Sequence, residues 1–205
     1  MLLSDHRVNP AADSNYAIQW ASANGHLEVV RLLHQDSRVD PSDGENGAIR
    51  LASHNGHLDV VRFLLQDPRV DPSDQWNFAI RWASEFGHLE IVKLLLQDSR
   101  VDPSDGENYA ISLASGNGYI DVVKVLLESD EIDPSDNNNK AIRWAAEFGQ
   151  LEVVKLLLDD ARVDPSDDVN YAILTASSNG HANIVEFLLQ DSRVDLLLIG
   201  ITRLE

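Results

Sequence analysis

The chain carries the stretch NYAIQWASANGHLEVVRLLHQDSRVDPSD at residues 15–43, and variants of it follow at a fixed step of 31 residues. Its first asparagine and its central glycine each occur six times at that step. The two columns are Asn15, Asn46, Asn77, Asn108, Asn139 and Asn170, and Gly25, Gly56, Gly87, Gly118, Gly149 and Gly180. A fixed period of this length is typical of repeat proteins, in which each repeat is one supersecondary unit that stacks on its neighbours.

The pattern inside each repeat predicts two short helices and a turn. Asn15 is a favourable N-cap residue, and Ala17, Ile18 and Ala21 follow it at helical spacing. After the central glycine, from about His26, valine and leucine form the apolar stripe of a second helix. The following Asp-Pro-Ser suits a type I turn. Because helices of about ten residues are marginal in isolation, each repeat must cover the apolar stripe of the next.

These residues resemble the ankyrin repeat family. Ala17-Ile18 stands where the family has Pro-Leu, and GHLEVVRLL at residues 25–33 matches its second-helix signature. The resemblance implies an all-α, ankyrin-like solenoid of stacked helix-turn-helix repeats that binds other proteins and is not an enzyme. The repeat is shorter than the family's usual length of about 33 residues, which predicts short finger turns. The family's Thr-Pro-Leu-His is absent, so we expect the asparagine to cap the first helix.

The repeat pattern divides the chain into three parts. Residues 1–14 are expected to form a partial N-terminal repeat or cap, and residues 15–195 form the six repeats. Residues 196–205 begin with the apolar run LLLIGI and are expected to form a C-terminal tail or cap.

Composition excludes several classes of function. The chain has 205 residues, 34 of them acidic and 16 basic, so its formal net charge is −18, and it has no cysteine. Thiol nucleophiles and thiolate metal sites are therefore absent. Such a charge disfavours nucleic acid and membrane surfaces as partners and favours a basic protein or peptide. We expect no cofactor, no metal ion and no catalytic residue. No signal-like or membrane-spanning apolar run stands out, which predicts an intracellular, cytoplasmic monomer.

A stripe of large rings on the first helix is the candidate binding surface. It follows the i, i+4 and i+8 positions that the apolar core stripe does not use, in a concave groove if the resemblance holds. With Trp76 and two arginines beside it, the predicted partner-binding residues are Tyr16, Trp20, Trp76, Phe78, Arg81, Trp82, Phe86, Tyr109, Arg143, Trp144, Phe148 and Tyr171. Large aromatic residues are enriched in binding hot spots. The alternative is that the rings pack against one another along the stack, since large and small residues alternate there.

Several other columns admit two interpretations. The arginines Arg50, Arg81 and Arg143 stack on the rings and bind a partner, or pair with an acidic turn of the adjacent repeat. The aspartates of the turns form acidic edges that attract a basic partner, or serve as turn residues. The recurring histidines favour capping over metal binding. Two alternative functions remain: a structural or engineered repeat scaffold without a dedicated ligand, and an acidic cation-binding array.

Overall fold

The computed structural model describes residues 8–194, and the expectations for residues 1–7, for residue 195 and for the tail at 196–205 lie outside that range. Within it the fold is all-α, with no strand. The chain divides into two compact units, Met1–Asp102 and Pro103–Glu205. Unit 1 contains α1 (Ala12–Ala23), α2 (Leu27–His34), α3 (Asp43–His54), α4 (Leu58–Leu64), α5 (Asp74–Glu85) and α6 (Leu89–Leu95). Unit 2 contains α7 (Asp105–Asn117), α8 (Ile120–Leu127), α9 (Asp136–Glu147), α10 (Leu151–Leu158), α11 (Asp167–Ser178) and α12 (Ala182–Leu188).

The helices stack in two layers within each unit. The longer first helices of successive repeats pack on one another, α1 on α3 and α3 on α5 in unit 1, and α7 on α9 and α9 on α11 in unit 2. The shorter second helices form the other layer. Small residues allow the first helices to approach closely, since Ala48, Ala52, Ala79 and Ala83 are fully buried. The predicted helix-turn-helix stack is therefore confirmed.

The predicted capping role of the asparagine column is wrong. Each first helix opens with three left-handed residues, such as Gly44, Glu45 and Asn46 with φ of 63°, 59° and 54°, and no side-chain hydrogen bond caps it. The buried Asn46 side chain instead accepts the Asp71 N–H at 2.7 Å and donates to Asp74 Oδ2 at 2.8 Å, in the turn that leads into α5. Left-handed backbone costs roughly 1–2 kcal/mol per residue. These two bonds hold the start of α3 in that conformation and join it to the start of α5.

A local Arg-Asp pair recurs just after the end of the second helix. Arg69 binds Asp67 at 2.6 Å, and its Nη1 donates to the Val39 carbonyl of the preceding repeat at 3.3 Å. The hydrogen bond from the arginine lowers the aspartate pKa, to about 2 in the pair Asp36 and Arg38. The other pairs are Arg100 with Asp98, Arg162 with Asp160, and Arg193 with Asp191. Each pair therefore also bridges two repeats.

Three of the recurring histidines cap helices, as predicted. Each one caps the C-terminal end of the first helix of the preceding repeat. The Nε2–H of His57 donates to the Ala23 carbonyl at the end of α1, at 3.0 Å. His88 and His181 make the equivalent bonds to His54 and Glu147 at 2.9 Å. Gly25 is required beneath His57, because its φ is +69° and a Cβ there would lie 2.5 Å from the imidazole.

Candidate functional site

The unit 1 ring cluster consists of Arg50 and His54 on α3 and of Phe78, Trp82 and Phe86 on α5. Phe78 stacks on Trp82 with ring centroids 5.1 Å apart. The His54 ring lies 5.2 Å from Trp82 and 4.3 Å from Phe86, so it covers the pair from the adjacent helix. The Arg50 guanidinium lies 5.9 Å from both Phe78 and Trp82. The indole is half-buried, whereas Phe86 is 41% exposed.

The unit 2 ring cluster is built on α7 and α9, which are equivalent to α3 and α5, and on α11. It consists of Tyr109, Lys140, Arg143, Trp144, Phe148 and Tyr171. Tyr109 meets Trp144 edge to face at 5.6 Å, and the Lys140 ammonium lies 4.3 Å and 4.8 Å from these two rings. Phe148 is 57% exposed. Two of the predicted rings therefore contact the ammonium group of Lys140, a residue that was not among the predicted binding residues.

An open cleft borders the unit 2 ring cluster and is called here the Gly116 cleft. Its volume is about 650 Å³. It is lined by Leu113, Gly116, Asn117, Trp144, Glu147, Phe148 and Gln150. A Cβ on Gly116 would lie 3.3 Å from Phe148 Cδ2 and 3.4 Å from Trp144 Cβ. The missing side chain of one glycine therefore leaves the faces of the two rings open.

The arginine column packs on the rings, and Arg143 also pairs with an acidic residue of the adjacent turn. Arg143 lies 4.4 Å above the Tyr171 ring and 3.2 Å from Asp168 Oδ2, both on α11. Arg81 lies 4.8 Å above Phe78 of its own helix. Cations packed on ring faces are stabilised by the ring quadrupole. These side chains therefore fix the rings in place as well as occupying the predicted surface.

The remaining predicted residues lie apart from the two clusters. Tyr16 and Trp20 form an edge-to-face pair at 5.6 Å on α1, and both are about half exposed. Trp76 lies in the left-handed turn that opens α5, with φ of 64°, and is 68% exposed. A bulky residue in that region of backbone is uncommon. Such an exposed tryptophan contributes little to the stacking of the repeats.

A comparison with protein families decides the classification. The family model described as "Ankyrin repeats (3 copies)" matches residues 1–76 and 80–168. The chain belongs to the ankyrin repeat family. Ankyrin repeats generally mediate protein–protein interactions, and the family is typically non-enzymatic. A search of curated proteins gives no match to this sequence.

The acidic edges of these ankyrin repeats consist of carboxylates engaged in turns. Asp40 accepts the Ser42 N–H at 3.0 Å and the Ser42 hydroxyl at 2.7 Å, and these bonds lower its pKa. Asp43, three residues further along the same turn, accepts a hydrogen bond from the Asn15 side-chain amide at 2.8 Å. Within residues 8–194, no three histidine, aspartate or glutamate side chains are grouped so as to hold a metal ion. In the same range, no helix has the length and apolar character needed to cross a bilayer.

Four residues beside the rings escaped the sequence prediction: His54, Gly116, Lys140 and Glu147. Three of them, His54, Gly116 and Glu147, share one column of the repeat, three positions after the column of Leu51, Leu113 and Trp144. The sequence did contain a signal for these residues, because the column varies in size from glycine to histidine and glutamate. The size of the side chain at this position decides how far it covers the Trp-Phe pair of the next first helix.

Proposed function

We propose that this ankyrin chain is a non-catalytic protein-interaction scaffold that binds a protein or peptide through the ring-bearing face of its first helices. The observation that carries the proposal is the exposure of rings that the stack does not need to bury: Trp76 is 68% and Phe148 is 57% exposed. Monomeric proteins rarely leave contiguous apolar surface uncovered without a role in binding. Each unit supplies its own cluster of such rings.

The proposed contacts are those of the two ring clusters, with Tyr16, Trp20 and Trp76 as additional exposed rings. The net charge of −18 favours a basic partner, because a strongly acidic surface attracts one over a Debye length. The charge likewise disfavours nucleic acid. We place the protein in the cytoplasm as a monomer.

A scaffold without a dedicated ligand is the second candidate function, and one observation favours it. Phe78, Trp82 and His54 pack against one another, so part of the ring surface serves the stability of unit 1. In that case the rings contribute to the free energy of unfolding and not to binding.

Affinity capture with variants separates the two candidates. The full chain and its Trp82→Ala/Trp144→Ala variant are immobilised, captured proteins are identified by mass spectrometry, and each is then titrated against both chains. The proposal requires a partner whose affinity falls by about 2 kcal/mol or more in the variant, the cost typical of hot-spot residues. A variant with the same circular dichroism spectrum and unchanged affinity for every captured partner contradicts it, and a variant that loses only stability favours the scaffold.

A further inference from the structure

The same three residue types recur at one place in each unit. Trp82, Glu85 and Phe86 on α5 correspond to Trp144, Glu147 and Phe148 on α9, which are 62 residues further along the chain. At spacings of i, i+3 and i+4, the three side chains share one face of a helix. A carboxylate beside two rings suits a cationic group, which the rings attract through their quadrupole and the carboxylate through its charge.

In unit 1 this place is already filled by a side chain of the protein itself. The His54 imidazole lies 4.3 Å from Phe86 and 5.2 Å from Trp82, and its Nδ1 is 3.0 Å from Asn55 Oδ1. Imidazole is planar and able to carry a positive charge. His54 therefore shows which chemistry packs against the Trp-Phe pair.

In unit 2 the corresponding position is Gly116, and the place is open. The Gly116 cleft has a volume of about 650 Å³, and Trp144, Phe148 and Glu147 line it. The Glu147 carboxylate has no hydrogen bond or ion pair within residues 8–194, although its backbone carbonyl accepts from His181. Lys140 lies on Trp144 one helical turn nearer the start of α9, and it does not line the cleft.

Three helix ends border the cleft. Both α7 and α9 end beside it, at Asn117 and Glu147, and α10 begins beside it, directly after Gln150. The ends of α7 and α9 carry partial negative charges and the start of α10 carries a partial positive charge, so the full charge that attracts a cation to the cleft is that of the Glu147 carboxylate. Gln150 donates to the Gly116 carbonyl at 3.2 Å and thereby fixes one rim of the cleft.

We propose that the Gly116 cleft binds an arginine side chain of the protein partner, in the place that His54 fills in unit 1. The guanidinium is planar like imidazole, stacks on the exposed faces of Trp144 and Phe148, and donates to the Glu147 carboxylate. The inference rests on the proposed binding function and names the chemistry of one contact. It also explains why the chain with a net charge of −18 would select a basic segment.

Short capped peptides test the contact on the full chain. Acetyl-Gly-Arg-Gly-amide is titrated into isotope-labelled protein while the indole N–H signals are followed by NMR, with Trp144 assigned through Trp144→Phe. We expect a saturable shift at Trp144, with a dissociation constant on the order of 1 mM. Peptides with citrulline or leucine in place of arginine should bind at least about tenfold more weakly, because they lack the charge. Equal binding of either peptide overturns the proposal.

Two reciprocal variants provide the matched control. Gly116→His should close the cleft and remove the shift at Trp144, and the exposed Phe148 ring has room to move for the added side chain. His54→Gly should open the equivalent place in unit 1 and give a second saturable shift at Trp82. Binding that survives in a folded Gly116→His variant overturns the proposal.

Substitution of the carboxylates keeps the test decisive if a glycine or histidine variant fails to fold. Glu147→Gln should weaken arginine-peptide binding about fivefold or more, since it removes a charge-assisted hydrogen bond. Glu85→Gln is the control and should leave binding unchanged, because His54 covers its site. An unchanged dissociation constant in Glu147→Gln overturns the proposal. If the chain retains a ring-dependent partner but does not bind the arginine peptide, the proposed function stands and this inference is overturned. If it binds the peptide but no ring-dependent partner, the proposed function is refuted and the arginine of a protein partner falls with it.

Discussion

The Trp-Phe pair of unit 1 and that of unit 2 occupy equivalent positions on equivalent helices, but only one is covered. His54 packs on Trp82 and Phe86, whereas Gly116 leaves Trp144 and Phe148 facing an open cleft. The exposed fraction of the phenylalanine rises from 41% to 57%. A single position on the neighbouring helix therefore decides whether a ring pair serves stability or remains available to a partner. In repeat proteins, such side-chain changes alter the surface without altering the stack.

Removal of each tryptophan is expected to show the largest difference between the two clusters. Trp82→Ala should lower the free energy of unfolding by about 3 kcal/mol, because it removes a ring packed by Phe78 and His54. Trp144→Ala should cost about 2 kcal/mol, since one face of its ring borders the cleft. Urea denaturation measures both values. A larger cost for Trp144→Ala would reverse the comparison.

Removal of the covering histidine is expected to have an intermediate effect on unit 1. His54→Gly should lower the free energy of unfolding by about 2 kcal/mol, through loss of the ring contacts and the poor helix propensity of glycine. His54→Ala isolates the ring contacts and should cost about 1 kcal/mol. The same denaturation measurement applies. If His54→Ala leaves stability unchanged, the histidine covers the rings without stabilising them.

The Arg-Asp pairs provide the smallest expected effect and should not distinguish the units. Asp98→Asn in unit 1 and Asp160→Asn in unit 2 should each cost about 0.5 to 1 kcal/mol at pH 7, because the pairs are similarly placed and partly exposed. The bound arginine lowers the pKa of both carboxylates in the folded state. Each pair therefore stabilises the fold above the unfolded pKa of about 4, and this contribution is lost as the pH falls through the lowered folded-state value.

A pH series of thermal denaturation checks the sign. The difference in stability between each variant and the parent chain should shrink as the pH falls below about 4. Unequal effects of the two variants at pH 7 would show that the units differ in how their repeats are joined as well as in their rings.

The sequence by itself determined the repeat, the helices and the local contacts. The 31-residue step, the apolar stripes and the central glycine set the twelve helices of residues 8–194, because these signals act over one or two helical turns. The pairing of Arg69 with Asp67 was predictable for the same reason, since the two residues are separated by one position. The ring stripe was also visible from its helical spacing.

Only the tertiary structure decided the roles of residues that bond across the stacked helices. Asn46 bonds to residues 25 and 28 positions away, and His57 caps a helix end 34 positions away. The local sequence pattern does not indicate which distant residue such a side chain contacts, because the stacking of the helices brings the two residues together. For the same reason the sequence did not predict the Gly116 cleft. The cleft exists because α7 packs beside α9 and places a glycine opposite the Trp144 and Phe148 rings.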